Sequence, residues 1–145
     1  MNMKTLSYPD VPKKWAVCFQ NDCPMKEECL RWKAAQVVPE KVQTLMCVTP
    51  NTRKGNECPC FASAEPVRLA WGMTKLFANV PWYMVKVLRE EMFPIFGSRR
   101  QFYRYRLGRW VISPEQQRRV AQVFRNYGFE DEPEFDVTKE GFDFV

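Results

Sequence analysis

The sequence contains no histidine. Its absence removes the commonest general base near neutral pH and the imidazole partner of a cysteine nucleophile. Glycine is scarce, at six residues, and none of the six sits in a phosphate-cradling loop. Paired carboxylates in an acid–base arrangement are also missing, so an enzyme is not expected. No stretch approaches the ~20 apolar residues needed to cross a bilayer, and no membrane association is expected. The opening MNMKTLSYPD has no apolar core of a secretory signal. Internal repeats and low-complexity runs are absent as well.

What is present belongs to a folded protein. The chain has 145 residues, 46% apolar and 14% aromatic, too many aromatics for a disordered chain and enough length for one domain or two very small ones. A cytoplasmic location is expected, where thiols stay reduced. Six cysteines in that setting point to metal binding or reactivity more than to disulfides.

The net charge of +5 hides a division. Residues 130–145 hold seven acids (Glu130, Asp131, Glu132, Glu134, Asp136, Glu140, Asp143) against Lys139, a net −6, which leaves +11 on residues 1–129. A basic body suits a polyanionic partner, and an acidic tail can compete for the same cations.

Met1 to Lys14 reads as irregular because of Pro9 and Pro12. Trp15 to Phe19 reads as a short strand or loop, Met25 to Gln36 as a helix opened by Asp22-Cys23-Pro24, and Val42 to Val48 as a strand. From Glu65 the pattern becomes helical. Glu65-Pro66 opens a helix carrying Val67, Leu69, Ala70, Met73, Leu76 and Phe77, and Pro81 opens a second through Met92. Ser98 caps a third to about Arg106. Ser113-Pro-Glu-Gln116 is a capping box for a fourth, ended by Gly128. The expected architecture is mostly α with a minor β component (α+β). A cysteine-ligated metal module with a short strand pair (1–62) precedes a four-helix bundle (63–129) and an extended acidic arm (130–145). Within that arm, Phe135 and Phe142 are the aromatics expected to pack against the body.

The cysteines fall as Cys18-x4-Cys23-x5-Cys29-x17-Cys47-x10-Cys58-x-Cys60. Cys18, Cys23 and Cys29 lie within twelve residues, and a closed tetrahedral site needs a fourth thiolate. Cys58 follows a turn-rich loop with Gly55 and is the preferred fourth ligand. Cys60 is the alternate, since one intervening residue strains a chelate using both. Cys47, inside an apolar stretch, is expected to be a buried core thiol. Four thiolates fit structural zinc, the preferred metal, and also an iron–sulfur cluster. The stretch Cys23-Pro-Met-Lys-Glu-Glu-Cys29-Leu-Arg-Trp32 resembles the cluster-binding segment of WhiB-like regulators, which share Cys-Pro, five residues between cysteines, then Cys-Leu and an aromatic.

Ser98 to Arg125 hold eight arginines (99, 100, 104, 106, 109, 118, 119, 125), no lysine and one acid, Glu115. Arginine rather than lysine favours planar, bidentate contact with phosphate or guanine. With Phe102 and Tyr105 facing a core, Arg99, Arg100, Tyr103 and Arg104 are left outside, as a helix entering a groove requires. Gly97-Ser98, the arginine helix, Gly108 and the capped helix at Ser113 together resemble the lambda-repressor-like helix-turn-helix across Trp82 to Phe129, with Trp82 to Phe93 as its first helix. The resemblance implies that Arg99, Arg100, Gln101 and Arg104 reach base edges or adjacent phosphates, and that Arg106 and Arg109 grip the backbone.

Over nearly its full length the chain resembles a family of small bacterial proteins defined only as a domain of unknown function. Cys23-Pro…Cys29-Leu-Arg, Cys58-Pro-x-Phe61, Tyr103-Arg-Tyr-Arg-x-Gly108 and Ser113-Pro-Glu-Gln carry that resemblance, which implies no activity. The expected function is therefore DNA binding, with a structural metal site. A metal-stapled module for an acidic protein or RNA is the alternative, and an iron–sulfur redox sensor the second. A homodimer is compatible with half-site reading, and Trp71, Trp82 and Trp110 are candidates for its surface.

Overall fold

A computed structural model describes residues 5–144. Met1 to Lys4 of the segment read as irregular, and Val145 of the acidic arm, lie outside the described residues. The chain is α-rich and mixed, with α1 (Leu30–Gln36), β1 (Val67–Trp71), α2 (Trp82–Met92), α3 (Arg99–Arg106), α4 (Pro114–Asn126) and β2 (Val137–Gly141). β1 and β2 form a two-stranded antiparallel sheet. Among the described residues, no helix is long and apolar enough to cross a membrane.

Two compact units are present. One takes residues up to Val67 together with Gly141 onward, and the other is Arg68–Glu140.

In the first unit the helix expected from Met25 is shorter. Lys26–Glu28 is a single 3-10 turn, and α1 starts only at Leu30. The cause is a local ladder. Cys29 is extended and pairs with Ser63, the Leu30 amide donates to the Ala62 carbonyl at 2.6 Å, and the Ala64 amide donates to the Glu28 carbonyl at 3.0 Å. Those bonds hold Cys29 out of the helix and make it the N-cap. α1 buries Leu30, Ala34 and Ala35, one stripe at i, i+4, i+5. The strand expected over Val42–Val48 reduces to one parallel bridge, Val17 to Cys47, because the chain there finds a partner for one residue only. Cys47 is correspondingly exposed, contrary to its expected burial. Phe142 packs with Leu30 and Ala62, and Phe144 meets Trp15 edge-on at 5.0 Å.

The second unit corrects another expectation. Glu65 to Phe77 does not form a helix. Val67–Trp71 is strand β1, and Ala70 exchanges both backbone hydrogen bonds with Ile112, at 3.2 and 2.7 Å. Val67, Leu69 and Trp71 alternate, which suits a strand. Gly72, at φ +82°, ends it, and Met73 and Leu76 still reach the core from the following turns. The four-helix bundle is thus three helices beside a strand pair. α2 packs on α4, while the 3-10 turn Phe93–Phe96 touches α2, α3 and α4. Fully buried Phe102 of α3 lies edge-on to Phe93 at 5.2 Å and to Phe96 at 5.9 Å. α3 is therefore seated mainly on that turn, and a helix-turn-helix pairing of α2 with α3 is not shown.

Side-chain capping sets the helix limits. The Ser98 hydroxyl accepts from the Gln101 amide to start α3, and Ser113 with Gln116 forms a reciprocal capping box behind Pro114 in α4. α4 ends in a Schellman motif. The Gly128 amide donates to the Arg125 carbonyl, the Phe129 amide donates to the Phe124 carbonyl, and the two phenyl rings touch at 6.1 Å. The segment expected to be an extended acidic arm contributes to both units. Pro133 and Phe135 are buried in the second, β2 pairs with β1, and Phe142 is buried in the first.

Candidate functional site

The arms of the first unit bring five thiols to one small cavity of about 20 Å³, lined by Cys18, Cys23, Cys29, Cys58 and Cys60 among others. Each is set by backbone bonding. Cys18 follows the Val17 bridge, and its amide donates to the Arg31 carbonyl at 3.0 Å. Cys23 sits in a turn closed by Lys26 N–H on its carbonyl at 3.3 Å, and Cys29 caps α1. Cys58 follows a tight hairpin in which Lys54 and Glu57 exchange bonds of 2.8 and 3.0 Å around Gly55 at φ +63°. All six cysteines are free thiols. Cys47 does not line the cavity.

Arg31 ties the arms together. Its Nε donates to the Cys60 carbonyl at 2.6 Å, its Nη1 donates to the Ala16 carbonyl at 2.7 Å, and its guanidinium lies 4.3 Å over the Trp15 ring. Arg53 also lines the cavity. Its Nη1 donates to the Gly55 carbonyl at 2.7 Å and its Nη2 pairs with Asp22 at 3.4 Å. Its Nε is buried with no hydrogen-bond partner. Lys26, a third cation on the lining, stands 5.2 Å over the Trp32 ring.

Burial pushes the Cys18 thiol above the ordinary range. The Gln20 backbone pulls it down, and the fields of Cys29, Cys23 and Cys58 push it up again. Cys18 thus lies within the field of the other three cysteines singled out by spacing. All four line the cavity, and among the described residues no three His, Cys, Asp or Glu are gathered to hold a single metal ion.

The second unit carries the arginines. Arg99, Arg100, Gln101 and Arg109 are exposed, and Arg104 and Arg106 half-buried. Arg104 lies 5.1 Å over the Trp110 ring. Arg99, Arg100, Arg106, Arg109, Arg118 and Arg119 make no ion pair or side-chain hydrogen bond among the described residues. Beyond the expected set, Arg68 of β1 joins Arg118 and Arg125 of α4 around a groove of about 310 Å³ that also holds Glu132. Spacing gave no sign of Arg68, because only β1 brings it beside α4. Nor did it reveal Arg31 and Arg53, whose roles depend on which carbonyls surround them. Of the tryptophans named for a dimer surface, Trp82 is 87% exposed, Trp110 is 38% exposed and Trp71 is half-buried.

No curated protein and no solved structure matches the chain. A family model matches residues 1–144, and the chain belongs to that family, described as a family of unknown function (DUF6078).

Proposed function

We propose that this protein binds DNA through the arginine surface of its second unit, with the cysteine pocket of the first unit serving as a structural metal site. The observation that carries the reading is the uncompensated charge. Six arginines of α3, α4 and the segment between them lack any acidic partner among the described residues, although Glu130, Asp131, Glu132 and Glu134 are exposed on the same unit. Unpaired guanidinium groups are costly to hold close together unless a polyanion neutralises them, and phosphate provides bidentate acceptors for each fork. Arg99, Arg100 and Gln101 occupy the first turn of α3 on its exposed side, the part of a helix that reaches base edges in a groove. In the pocket, Cys18, Cys23 and Cys29 with Cys58 supply four thiolates, and Cys60 stands by as the alternate.

The test is fluorescence anisotropy of labelled duplex DNA across a salt series, with Arg99→Ala/Arg100→Ala beside the wild type. Neither side chain supports the fold, so the variant should melt normally. Its salt slope should flatten by about one to two units if both arginines release phosphate counterions. An unchanged slope, or no binding at low salt by the wild type, would sink the reading.

A further inference from the structure

We infer that the groove lined by β1, α4 and residues 132–135 is a binding site for a small phosphate monoester whose body carries hydroxyl groups, such as a sugar phosphate or a mononucleotide. The inference is independent of the DNA reading, because Arg68 and the apolar part of the groove have no place in that surface.

The cations define the phosphate end. Arg68, Arg118 and Arg125 line a space of about 310 Å³, a size at the lower end of small-molecule sites. Arg118, Ala121 and Arg125 stand at i, i+3 and i+7 on one face of α4. The two arginines are therefore separated by about 10 Å along the helix axis, and the small alanine leaves the space between them open. Strand β1 supplies the third guanidinium. Among the described residues, Arg68 and Arg118 have no ion pair and no side-chain hydrogen bond, and Arg125 makes one bond, from Nη2 to Gln122 Oε1 at 2.9 Å. Three like charges around one space favour a dianion, and each guanidinium fork offers paired donors to phosphate oxygens.

Glu132 distinguishes an ester from bare phosphate. It lines the same space, yet among the described residues it pairs with none of the three arginines. An ionised carboxylate only accepts hydrogen bonds. It repels the phosphate end of a ligand and receives the hydroxyls of its body, which orients the molecule in one sense. Buried Pro133 and Phe135, with Ala121, give the lining its apolar part, suited to the C–H surface of a sugar or the face of a base.

The elements around the groove are held in place by the fold. Gln117 Nε2 donates to the Arg68 carbonyl at 2.9 Å and to the Ile112 carbonyl at 3.0 Å, tying α4 to β1. The Asp136 amide donates to the Gly72 carbonyl at 3.0 Å, so the residue after Phe135 is anchored at the end of the same strand. Little ordering entropy is then lost on binding.

The experiment is calorimetric titration of the full chain at low salt with ribose 5-phosphate, adenosine monophosphate, inorganic phosphate and adenosine. Both esters should bind and adenosine should not; the tighter ester identifies the body that the groove prefers. Arg68→Ala removes a side chain that supports nothing in the fold, so it should melt normally and bind both esters about tenfold or more weakly. Glu132→Ala should move the two ends in opposite directions: inorganic phosphate about two- to threefold tighter, ribose 5-phosphate about three- to tenfold weaker. Arg99→Ala/Arg100→Ala should leave ester binding intact. Because that pair carries the DNA test, failure of the DNA reading and failure of the groove are told apart. No ester binding, full binding by Arg68→Ala, or a Glu132→Ala chain that tightens for esters as it does for phosphate would overturn the proposal. So would an Arg68→Ala chain weakened only toward duplex DNA, since the groove would then belong to the nucleic-acid surface.

Discussion

Asp136 is the residue whose removal should most clearly weaken the second unit. Its Oδ2 accepts from the Thr74 hydroxyl at 2.7 Å and the Thr74 amide at 3.1 Å, and its Oδ1 accepts from the Lys75 amide at 3.1 Å. Its own amide donates to the Gly72 carbonyl at 3.0 Å. One carboxylate therefore caps the turn after β1 and fixes the start of β2, in the manner of a helix N-cap. Asp136→Ala leaves two amides and a hydroxyl without their acceptor. These groups are exposed, so water replaces part of the loss, and the cost should be about 1–2 kcal/mol, the range for deleting a capping side chain. For a unit of this size that corresponds to about 4–8 °C in melting temperature per kcal/mol. Burial pushes the Asp136 carboxyl up, but the Thr74 hydroxyl, the two amides and nearby Lys75 outweigh it and hold it below the usual carboxylate value. A carboxyl with a depressed folded value stabilises the protein above its unfolded value of about 3.9 and loses that contribution as pH falls through the folded one. The gap between wild type and Asp136→Ala, followed by circular dichroism melts, should be full at pH 7 and shrink as the pH drops below about 4. Asp136→Asn, which keeps an acceptor without the charge, should fall between the two. A missing gap at pH 7, or one that stays constant into strong acid, would refute the account.

Ser113→Ala removes the hydroxyl that accepts from the Gln116 amide at 3.2 Å and should cost about 1 kcal/mol in a urea titration of the full chain. Arg31→Met breaks the two bonds that join the Cys18 and Cys60 arms; metal affinity, read by competition with a chelator, should drop by about 10–100-fold, the usual cost of losing a group that orients ligands. Neutralising Glu130, Asp131, Glu132 and Glu134 to their amides should tighten DNA binding at low salt and have little effect at high salt, because these exposed carboxylates compete only through a screened field. This substitution is the better test of the acidic segment, since deleting it would also remove Phe135 and Phe142 from the two cores.

The elements legible in the sequence were those with chemical punctuation. Ser98, the Ser113–Gln116 box and Gly128 mark α3 and α4 because capping is a local interaction between residues three or four apart. Cys18, Cys23 and Cys29 line one cavity for a similar reason, as short spacings leave few arrangements, whereas Cys58 reaches the same lining from a distant arm. What failed was decided by partners distant in sequence. Val67 to Phe77 satisfies a helical period as well as a strand, and Ile112, forty-two residues beyond Ala70, decides for the strand. Cys29 leaves the helix because Ala62 and Ser63 supply a competing ladder. Cys47 was expected inside on hydrophobic surroundings alone, yet a single bridge anchors it at the surface. Of the arginines, the exposed face of α3 was readable from Phe102 at its buried position, while the groove of Arg68, Arg118 and Arg125 needed the sheet.

The distribution of buried apolar side chains gives a physical reason for the proposed metal site to lie in the first unit and not in the second. Twelve buried apolar residues lie in Arg68–Glu140, eight of them aliphatic or sulfur side chains clustered with Phe96, Phe102, Phe124 and Phe135. Among the described residues the first unit has six, Val17, Leu30, Ala34, Ala35, Ala62 and Phe142, and half of those are alanine. Alanine buries little more than one methyl group, so such a core offsets only a small part of the ordering entropy of the chain around it. Small folds with that shortfall rely on staples, and a thiolate-held metal contributes its binding energy directly to folding. If the proposed metal is bound, stripping it from the full chain should therefore unfold one unit and spare the other. In hydrogen exchange read by mass spectrometry, peptides containing Val17, Leu30 and Val48 should lose protection by at least about tenfold, equivalent to ~1.4 kcal/mol. Peptides containing Phe102, Ile112 and Val120 should exchange as before. Equal protection of the first unit with and without metal would show that its six residues suffice, and the pocket would lose its structural role.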